Sequence, residues 1–351
     1  MNLDDVNQFK KIDPDGMLEE IQGLPDQLAL AWKTANSYPL PNTEEFSNVI
    51  IAGMGGSAIG ADMLASYAAP LCEIPISVLR GYHLPFWAKG KKILVVCSSH
   101  SGNTEETLSV FQEATSNNCT VMCISTGGKL LKSALENNLA GWKFEHHGQP
   151  RSAVGFSFGM LLNLFSRLNL LSDQTSTLNS AVSALKEYIK NIDAAVPVAK
   201  NLAKRIAGQA INRNLVVLGA EHLEPIARRW KTQINELAKC WAQFEFLPEA
   251  DHNSLAGLIF PEATIENTYA LFLNSENYHI RNQKRLDLTF SEFMLAGMCT
   301  DKVAISEKSI VSEIWKMLLL ADFVSYYLAM EYEIDPTPIE ALENFKKAML
   351  N

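Results

Sequence analysis

The segment Cys97–Thr107 gathers several hydroxyl side chains around a glycine, in the order Cys-Ser-Ser-His-Ser-Gly-Asn-Thr-Glu-Glu-Thr. It follows a short apolar, β-rich run and precedes apolar residues at helical spacing, so a helix should begin at this loop. A helix N-terminus attracts anions, and Ser99, Ser101 and Thr104 add hydroxyl donors without adding charge. The pattern predicts a phosphate site. A simple capped turn, with Asn103 as the N-cap, is the alternative.

A second glycine-rich turn, Gly53–Gly60, follows the β-rich run 49–52 at the same kind of junction. Loops at the carboxyl ends of parallel strands meet at one edge of a sheet, so the two turns can face one ligand. The turn also matches a loose dinucleotide-binding fingerprint, which makes an NADP-dependent oxidoreductase an alternative. That fingerprint expects an acidic residue after the next strand. Because Arg80 and Gly81 stand there instead, this alternative ranks below a phosphate site. It stays open because an arginine at that place could suit the 2′-phosphate of NADP.

A helix predicted between Glu221 and Trp241 carries a candidate base. Its core face should contain Ile226, Trp230, Ile234, Leu237 and Trp241. Arg229, Gln233 and Glu236 form a polar ridge on an adjacent face. Burial raises the pKa of a carboxyl group and makes it a better base near neutral pH, although a nearby cation would offset the shift. A solvated glutamate on an exposed face is the alternative.

Two further side chains are suited to moving protons or binding negative charge. His252 lies in the polar turn Leu247–Ser254, just after the carboxylates Glu249 and Asp251, where it could act as an acid or base toward sugar hydroxyls. A histidine that only hydrogen-bonds the turn is the alternative. Arg151 follows the last strand of the first half, where its guanidinium could bind a sugar phosphate or stabilise an oxyanion. For Arg151 the alternative is a surface ion pair.

These residues are positioned by β-like runs that alternate with helix-length segments. The runs lie near 49–52, 76–79, 93–97, 120–124 and 142–145, and again near 214–219, 243–247, 268–274 and 302–306. This alternation predicts an α/β fold with a doubly wound parallel sheet in each half. We expect a first domain at 1–152, a helical connection at 153–206 and a second domain at 207–351. The second half has no copy of the hydroxyl loop, so one phosphate pocket per chain is expected.

Composition limits the class of protein. The chain has 351 residues, 47% of them hydrophobic, with a net charge of −9, which suits about two globular domains. The net negative charge does not indicate a basic surface that would bind nucleic acid or an anionic membrane. Apolar stretches are far shorter than the roughly 20 residues of a membrane span, and the acidic start is unlike a signal peptide. A cytoplasmic protein is expected.

Cysteine and histidine spacing predicts no metal site. The six cysteines are scattered through apolar or strand-like segments and indicate reduced thiols. Cys119 and Cys123 are the one close pair, and no histidine lies near them in the sequence. The adjacent His146 and His147 are typical of an exposed loop. None of these groups has the spacing of zinc ligands.

Together these segments resemble the sugar isomerase (SIS) domain proteins, and among them the bifunctional phosphoglucose/phosphomannose isomerase family. The resemblance spans almost the whole chain. The motifs that carry it are Met54–Ser57, Ser99–Thr107, Gln233-Ile234-Asn235-Glu236-x-x-Lys239, Pro248-Glu249-x-x-His252-Asn253 and Ile334-Asp335-Pro336. The serine-rich motif alone indicates an SIS domain, whereas the Asn-Glu and His-Asn motifs narrow the resemblance to this family.

The resemblance implies two SIS subdomains, a tight dimer and a role for each matched residue. The phosphate-binding residues would be Gly56, Ser57, Ser99, Ser101 and Thr104. Glu236 corresponds to the base, and His252 to a ring-opening histidine that reaches the neighbouring subunit's site. Arg151 corresponds to the arginine that stabilises the enediolate. Lys346 or Lys347 fills the place of a lysine near the ring oxygen, and we prefer Lys346 because it follows Phe345.

The residues also show where this chain departs from the family pattern. His100 stands where tyrosine is common, and Leu237 replaces a frequent asparagine after the glutamate. Neither change removes a proposed catalytic group. Thr337 is a candidate for the small or polar residue that the family links to accepting both epimers.

The expected reaction interconverts glucose 6-phosphate, and mannose 6-phosphate, with fructose 6-phosphate through a cis-enediolate. In this hypothesis it requires neither a metal nor a nicotinamide cofactor. A noncatalytic SIS-domain sensor of sugar phosphates is one rival, although it would need only the phosphate site and not Glu236 and His252. Another SIS-domain isomerase, such as one acting on aminosugar phosphates, is the second.

Overall fold

The computed structural model describes residues 2–42 and 45–349, which divide by their contacts into two compact units. The first-sheet unit contains Gly23–Ala184 and Ser309–Ser312. The second-sheet unit contains the chain up to Gln22, Leu185–Lys308 and the chain from Glu313 onward. Helices α1 (Val6–Ile12) and α2 (Met17–Gln22) therefore belong with the second sheet. The subdomain boundaries expected at 152 and 206 stay a prediction.

The first-sheet unit is built on five parallel strands. They are β1 (Asn48–Ala52), β2 (Ile76–Leu79), β3 (Ile93–Ser99), β4 (Thr120–Ser125) and β5 (Ala140–Lys143). Their order is β2-β1-β3-β4-β5. β2 is added on one side of β1 and β3 on the other, so the strand order reverses between β1 and β3. Ala52 pairs with Cys97 and Ser99 with Ser125. The loops after β1 and β3 thus leave the sheet side by side at the switch point, where open α/β sheets bind ligands.

Helices cover both faces of this sheet, which is why its strands are apolar. They are α3 (Leu24–Asn36), α4 (Gly55–Ala68), α5 (Glu105–Ser116), α6 (Gly128–Glu136) and α7 (Val154–Arg167). Every residue of β3 is buried, as expected for a parallel strand covered on both faces. Alternate residues of the strands, such as Val95 and Cys97, form one core with Val110 and Phe111 of α5. Helix α8 (Thr175–Ile192) continues the chain into the second-sheet unit.

The second-sheet unit repeats the pattern with four parallel strands. They are β6 (Asn214–Ala220), β7 (Ala242–Leu247), β8 (Thr268–Asn274) and β9 (Cys299–Ala304), in the order β7-β6-β8-β9. The helices are α9 (Leu202–Ala210), α10 (Glu224–Leu237), α11 (Glu262–Glu266), α12 (Ile280–Leu295), α13 (Ile310–Glu331) and α14 (Glu340–Met349). The prediction of an α/β fold with two parallel sheets flanked by helices is confirmed.

One predicted core residue is wrong. Ile226, Trp230, Ile234 and Leu237 are fully buried on α10, but Trp241 is 73% exposed. The helix ends at Leu237, and Lys239 has a positive φ of 55°, which turns the chain away from the helix axis. Trp241 therefore lies beyond the helix whose periodicity placed it in the core.

Candidate active site

The hydroxyl loop between β3 and α5 is braced by its own side chains. Ser99 is the last residue of β3, and Thr104 is the N-cap of α5. Their hydroxyl oxygens lie 2.8 Å apart, and the Gly102 N–H donates to Ser99 Oγ at 3.1 Å. The N-cap is thus not Asn103, and the Thr104 side chain makes no capping hydrogen bond. The N–H groups of the first turn of α5 remain suited to an anion.

Gly102 lets this loop press against the loop that follows β4. Its φ is +64°, and a Cβ there would lie 1.9 Å from the Gly127 carbonyl oxygen. The Gly102 carbonyl accepts from Leu130 N at 2.9 Å. Asn103 Oδ1 accepts from Lys129 N at 3.1 Å, so its side chain anchors the loop to α6. The loop's shape is therefore fixed by contacts that leave the Ser101 side chain exposed.

The glycine-rich turn after β1 lies beside both the hydroxyl loop and Arg151. A Cβ on Gly53 would lie 2.8 Å from the Ser98 carbonyl oxygen, and one on Gly56 would lie 2.9 Å from that of Pro150. The Arg151 Cα is 3.6 Å from the same Gly56 position. Gly56 and Ser57 stand in the first turn of α4. The two turns and Arg151 thus converge at one edge of the first sheet.

Arg151 is a buried residue and does not lie on the surface. It lies in a 3₁₀ turn, Pro150–Ser152, and is only 4% exposed. Its Nη1 donates to Gln149 Oε1 at 3.3 Å. A guanidinium held at this edge can balance a phosphate or a developing oxyanion.

Arg80 does not offer a free cation for a 2′-phosphate. Its Nη1 donates to Asp62 Oδ1 at 3.1 Å and its Nη2 to Asp62 Oδ2 at 2.5 Å. This two-point pairing with a carboxylate of α4 satisfies the guanidinium fork. The nicotinamide alternative therefore loses the residue that had kept it open.

The histidines beside the hydroxyl loop depart from expectation. His146 was expected in an exposed loop, but it is half-buried and its Nδ1 lies 3.0 Å from Nε2 of His100. His146 also packs edge-on against Phe156, with ring centroids 6.0 Å apart. Only His147 is exposed. The prediction of an exposed His146 is wrong because its partner, the His100 ring, lies 46 residues earlier in the chain.

In the second-sheet unit, Glu236 lies one residue before the end of α10. It is half-buried, and its carboxylate makes no hydrogen bond or ion pair with any residue that the structure describes. The two residues preceding it on the polar ridge are buried: Arg229 pairs with Asp322 of α13 at 2.8 Å, and Gln233 is 1% exposed. The ridge thus passes from the core to the surface and ends in a partly desolvated carboxylate.

Lys239 connects two of the motifs that the sequence singled out. Its Nζ donates to the carbonyls of Glu236 at 2.7 Å and Pro336 at 3.1 Å. The lysine thereby caps α10 and fixes the Glu236 end of that helix to the turn before Thr337. Thr337 is buried. Local spacing does not predict this role of Lys239, because Pro336 lies 97 residues later in the chain.

His252 and Lys346 are both presented on the surface of the second-sheet unit. His252 ends the 3₁₀ turn Glu249–His252 and is exposed. Lys346 lies in α14, a helix with no buried residue. Within the described residues neither side chain has a hydrogen-bonding or ionic partner. The structure therefore leaves both groups available, without bringing them together with Glu236 by a direct contact.

At the switch point of the second sheet, a side chain of the protein itself contacts the helix start. Glu221, which follows β6 with a φ of +48°, accepts hydrogen bonds from His279 N at 2.8 Å and Asn282 Nδ2 at 2.7 Å. These donors stand at the start of α12. The corresponding helix start in the first sheet is α5. A carboxylate of the protein thus accepts hydrogen bonds at the second helix terminus. The expectation of one phosphate pocket per chain stays a prediction.

Three of the six cysteines, Cys97, Cys119 and Cys123, are buried in the first-sheet unit, and the other three are half-buried. The pKa of the Cys97 thiol is well above its usual range because it hydrogen-bonds to Cys123 and is buried. Burial also raises the pKa of Cys119, whose Sγ faces the Ala88 carbonyl. Among the described residues no group of three His, Cys, Asp or Glu side chains could hold a metal ion. None of the helices in that part of the chain has the length and apolar character to cross a membrane.

Comparison with known proteins identifies close sequence relatives. Residues 199–349 match the family model of the bacterial phospho-glucose isomerase C-terminal SIS domain. The chain is 33% identical to a bifunctional phosphoglucose/phosphomannose isomerase of Caldicellulosiruptor bescii, over 95% of this chain and 98% of the relative. It is also 33% identical to the protein of that name in Aquifex aeolicus, over 87% and 91% of the two chains.

Solved structures share the architecture. The C-terminal domain of glucosamine-fructose-6-phosphate aminotransferase from Francisella tularensis superposes with a TM-score of 0.72. The match covers 92% of this chain and 98% of that domain at 16% sequence identity. At this identity the likeness establishes the fold alone.

Proposed function

Since this chain belongs to the bifunctional phosphoglucose/phosphomannose isomerase family, we propose that it interconverts glucose 6-phosphate and mannose 6-phosphate with fructose 6-phosphate. The observation that carries the proposal is the braced hydroxyl loop at the start of α5. There Ser99 and Thr104 are held 2.8 Å apart and Gly102 adopts a positive φ. Such a site suits the 6-phosphate, which all three substrates carry.

In the proposed complex the phosphate accepts hydrogen bonds from Ser57, Ser99, Ser101 and Thr104, with the backbone at Gly56 close to it. These donors are neutral, so Arg151 supplies positive charge at the same edge of the sheet. Binding energy at the phosphate fixes the distant reacting carbons, which lowers the barrier without contact at C1 or C2.

Glu236 is the proposed base for the carbon-bound proton. After the ring opens, its carboxylate removes the proton from C2 of the aldose, and a cis-enediolate forms between C1 and C2. The O2 hydroxyl proton passes to O1, and protonated Glu236 returns its proton to C1, which gives the ketose. Arg151 stabilises the negative charge of the intermediate. The half-buried, unpaired carboxylate of Glu236 supports this role.

Ring opening requires a proton to leave the anomeric hydroxyl and another to reach the ring oxygen. His252 is the proposed group for this transfer, assisted by Lys346, and both side chains are exposed and uncommitted in the described chain. A neutral histidine can accept and return a proton near pH 7. Glucose and mannose differ in configuration at C2, which the planar enediolate lacks, so both aldoses can give the same intermediate. Thr337 is the proposed neighbour that tolerates either epimer.

A cytoplasmic homodimer is the proposed form of the enzyme, with His252 contributed across the interface. Exposed apolar side chains of the second-sheet unit support association. Phe345 is 63% exposed on α14, and Phe260 and Trp241 are exposed to a similar or greater extent. Large exposed apolar surfaces commonly mark contacts between subunits.

The test is to incubate the protein with fructose 6-phosphate in buffer containing a chelator and to quantify both aldose phosphates separately. Formation of glucose 6-phosphate and mannose 6-phosphate is the expected result. Glucose 6-phosphate alone would limit the proposal to a phosphoglucose isomerase and direct attention to Thr337. Tight substrate binding with no product would favour a noncatalytic sensor, and turnover of aminosugar phosphates alone would favour another isomerase of this fold.

A further inference from the structure

The turn that carries His252 is anchored to α12 through the preceding residue, Asp251. Arg285 Nη1 donates to Asp251 Oδ2 at 2.8 Å, and Thr289 Oγ1 donates to Asp251 Oδ1 at 2.6 Å. Arg285 and Thr289 are one turn apart on α12, so both oxygens of a single carboxylate are held by one rigid helix. Thr289 is buried and the Asp251 side chain is only 9% exposed.

The rest of the turn contributes to its fixed shape. Ala250 is completely buried, and the Asp251 N–H donates to the Pro248 carbonyl at 3.1 Å. Asn253 Nδ2 donates to Glu249 Oε1 at 3.0 Å. Every residue from Glu249 to Asn253 therefore has a structural contact apart from the His252 ring. In the described chain that ring has no hydrogen-bonding partner and is exposed.

This division of roles distinguishes the turn from one that a histidine stabilises. A structural histidine would use its ring nitrogens to hydrogen-bond groups of the turn. Here the neighbouring carboxylate holds the turn and the imidazole is left uncommitted. Arg285 and Thr289 each hold one Asp251 oxygen, so the carboxylate would have to give up these hydrogen bonds to turn toward the imidazole. The His252 nitrogens stay available for an external hydroxyl group.

We propose that Asp251, Arg285 and Thr289 are positioning residues for ring opening: they fix the backbone that presents His252 to the sugar. This inference rests on the proposed function, since it assumes that His252 opens the ring. A displacement of about 1 Å at a reacting group can reduce a rate by about a hundredfold. Loosening the anchor should therefore slow ring opening while leaving the phosphate site and Glu236 unaltered.

Two assays separate ring opening from carbon-proton transfer. Catalysed exchange between the α and β anomers of glucose 6-phosphate, followed by NMR exchange spectroscopy, requires ring opening and reclosure but no C–H cleavage. Deuterium uptake at C1 of 4,5-dideoxyfructose 6-phosphate, which has no hydroxyl able to close a ring, requires the base but no ring opening. The ratio of the two rates is independent of the fraction of active protein.

Arg285→Gln and Thr289→Val are the test variants, and Lys284→Gln is the matched control. Lys284 is an exposed cation on the same helix and lines the same cavity of about 290 Å³ as Asp251, without contacting its carboxylate in the described structure. We expect Arg285→Gln and Thr289→Val to slow anomer exchange at least about tenfold, with deuterium uptake within about twofold of wild type. Lys284→Gln should change neither rate.

The outcomes distinguish this inference from the function on which it rests. Equal losses in both assays would reduce the anchor to a purely structural element, and wild-type anomer exchange in Arg285→Gln and Thr289→Val would overturn the inference. His252→Gln tests the underlying role separately. If that variant retained full anomer exchange, the proposed function of His252 itself would fail, whatever the anchor variants did.

Discussion

Replacing Gly102 with alanine should damage phosphate binding far more than it damages the fold. The residue has a φ of +64°, and a Cβ would lie 1.9 Å from the Gly127 carbonyl oxygen and 2.8 Å from Ser125 Oγ. A carbon atom needs at least about 3 Å from such an oxygen, so the loop must retreat by about 1 Å. That movement would separate the hydroxyl donors and the start of α5 from the phosphate.

Gly90 provides a control with the same backbone requirement and no clash. Its φ is +84°, and a Cβ would meet nothing within 4 Å. An alanine at either position loses about 1 kcal/mol because a left-handed conformation is unfavourable for residues with a Cβ. For a domain of this size that corresponds to a fall in Tm of about 2–4 °C. Any further loss in Gly102→Ala reports the displacement of the hydroxyl loop.

Steady-state kinetics with fructose 6-phosphate and inhibition by inorganic phosphate form the assay. A shift of about 1 Å is expected to reduce kcat/KM about a hundredfold in Gly102→Ala, with weaker inhibition by phosphate. Gly90→Ala should keep kcat/KM within about twofold of wild type. If Gly102→Ala matched the Gly90→Ala kinetics to within about threefold, the hydroxyl loop would not be the phosphate site.

Two further predictions concern stability and assembly. Asp322→Asn removes the carboxylate charge that pairs with the buried guanidinium of Arg229 and should reduce the free energy of unfolding by about 3 kcal/mol in chemical denaturation. Glu224→Gln, in a half-exposed pair with Arg228, should change it by less than about 0.5 kcal/mol. Equal effects would contradict this reading of the buried pair. Phe345→Ser should shift the protein from dimer toward monomer in analytical ultracentrifugation, and Leu30→Ser, on the other unit's α3, should not. Unchanged sedimentation of Phe345→Ser would exclude α14 from the interface.

Local patterns predicted most of the strands and helices and the position of the hydroxyl loop, although β5 lies at Ala140–Lys143 and not at the predicted 142–145. Alternating apolar runs located the strands, since parallel strands buried on both faces are recognisable as short apolar runs. The helix start after Thr104 followed from hydroxyl residues before an amphipathic segment. Helical periodicity failed only where it was extended past Leu237, because Lys239 turns the chain and leaves Trp241 exposed.

Contacts between distant segments could not be read from the sequence. The burial of Arg229 depends on Asp322, which lies 93 residues later. The pairing of His100 with His146 likewise joins two separate loops at the carboxyl edge of the first sheet. The anchor between Asp251 and α12 is of the same kind, since no local spacing links these residues. Such contacts need the fold itself, and they are the ones that position the proposed catalytic groups.

The most direct test of the central claim is the turnover of Glu236→Gln measured beside its affinity for fructose 6-phosphate. The amide retains the size of the carboxylate but cannot accept the C2 proton. We predict a loss of turnover of at least about a hundredfold, with substrate binding by isothermal titration calorimetry unchanged. Near-normal turnover with this variant would contradict the account, because the carbon-bound proton would then be removed by a group other than Glu236.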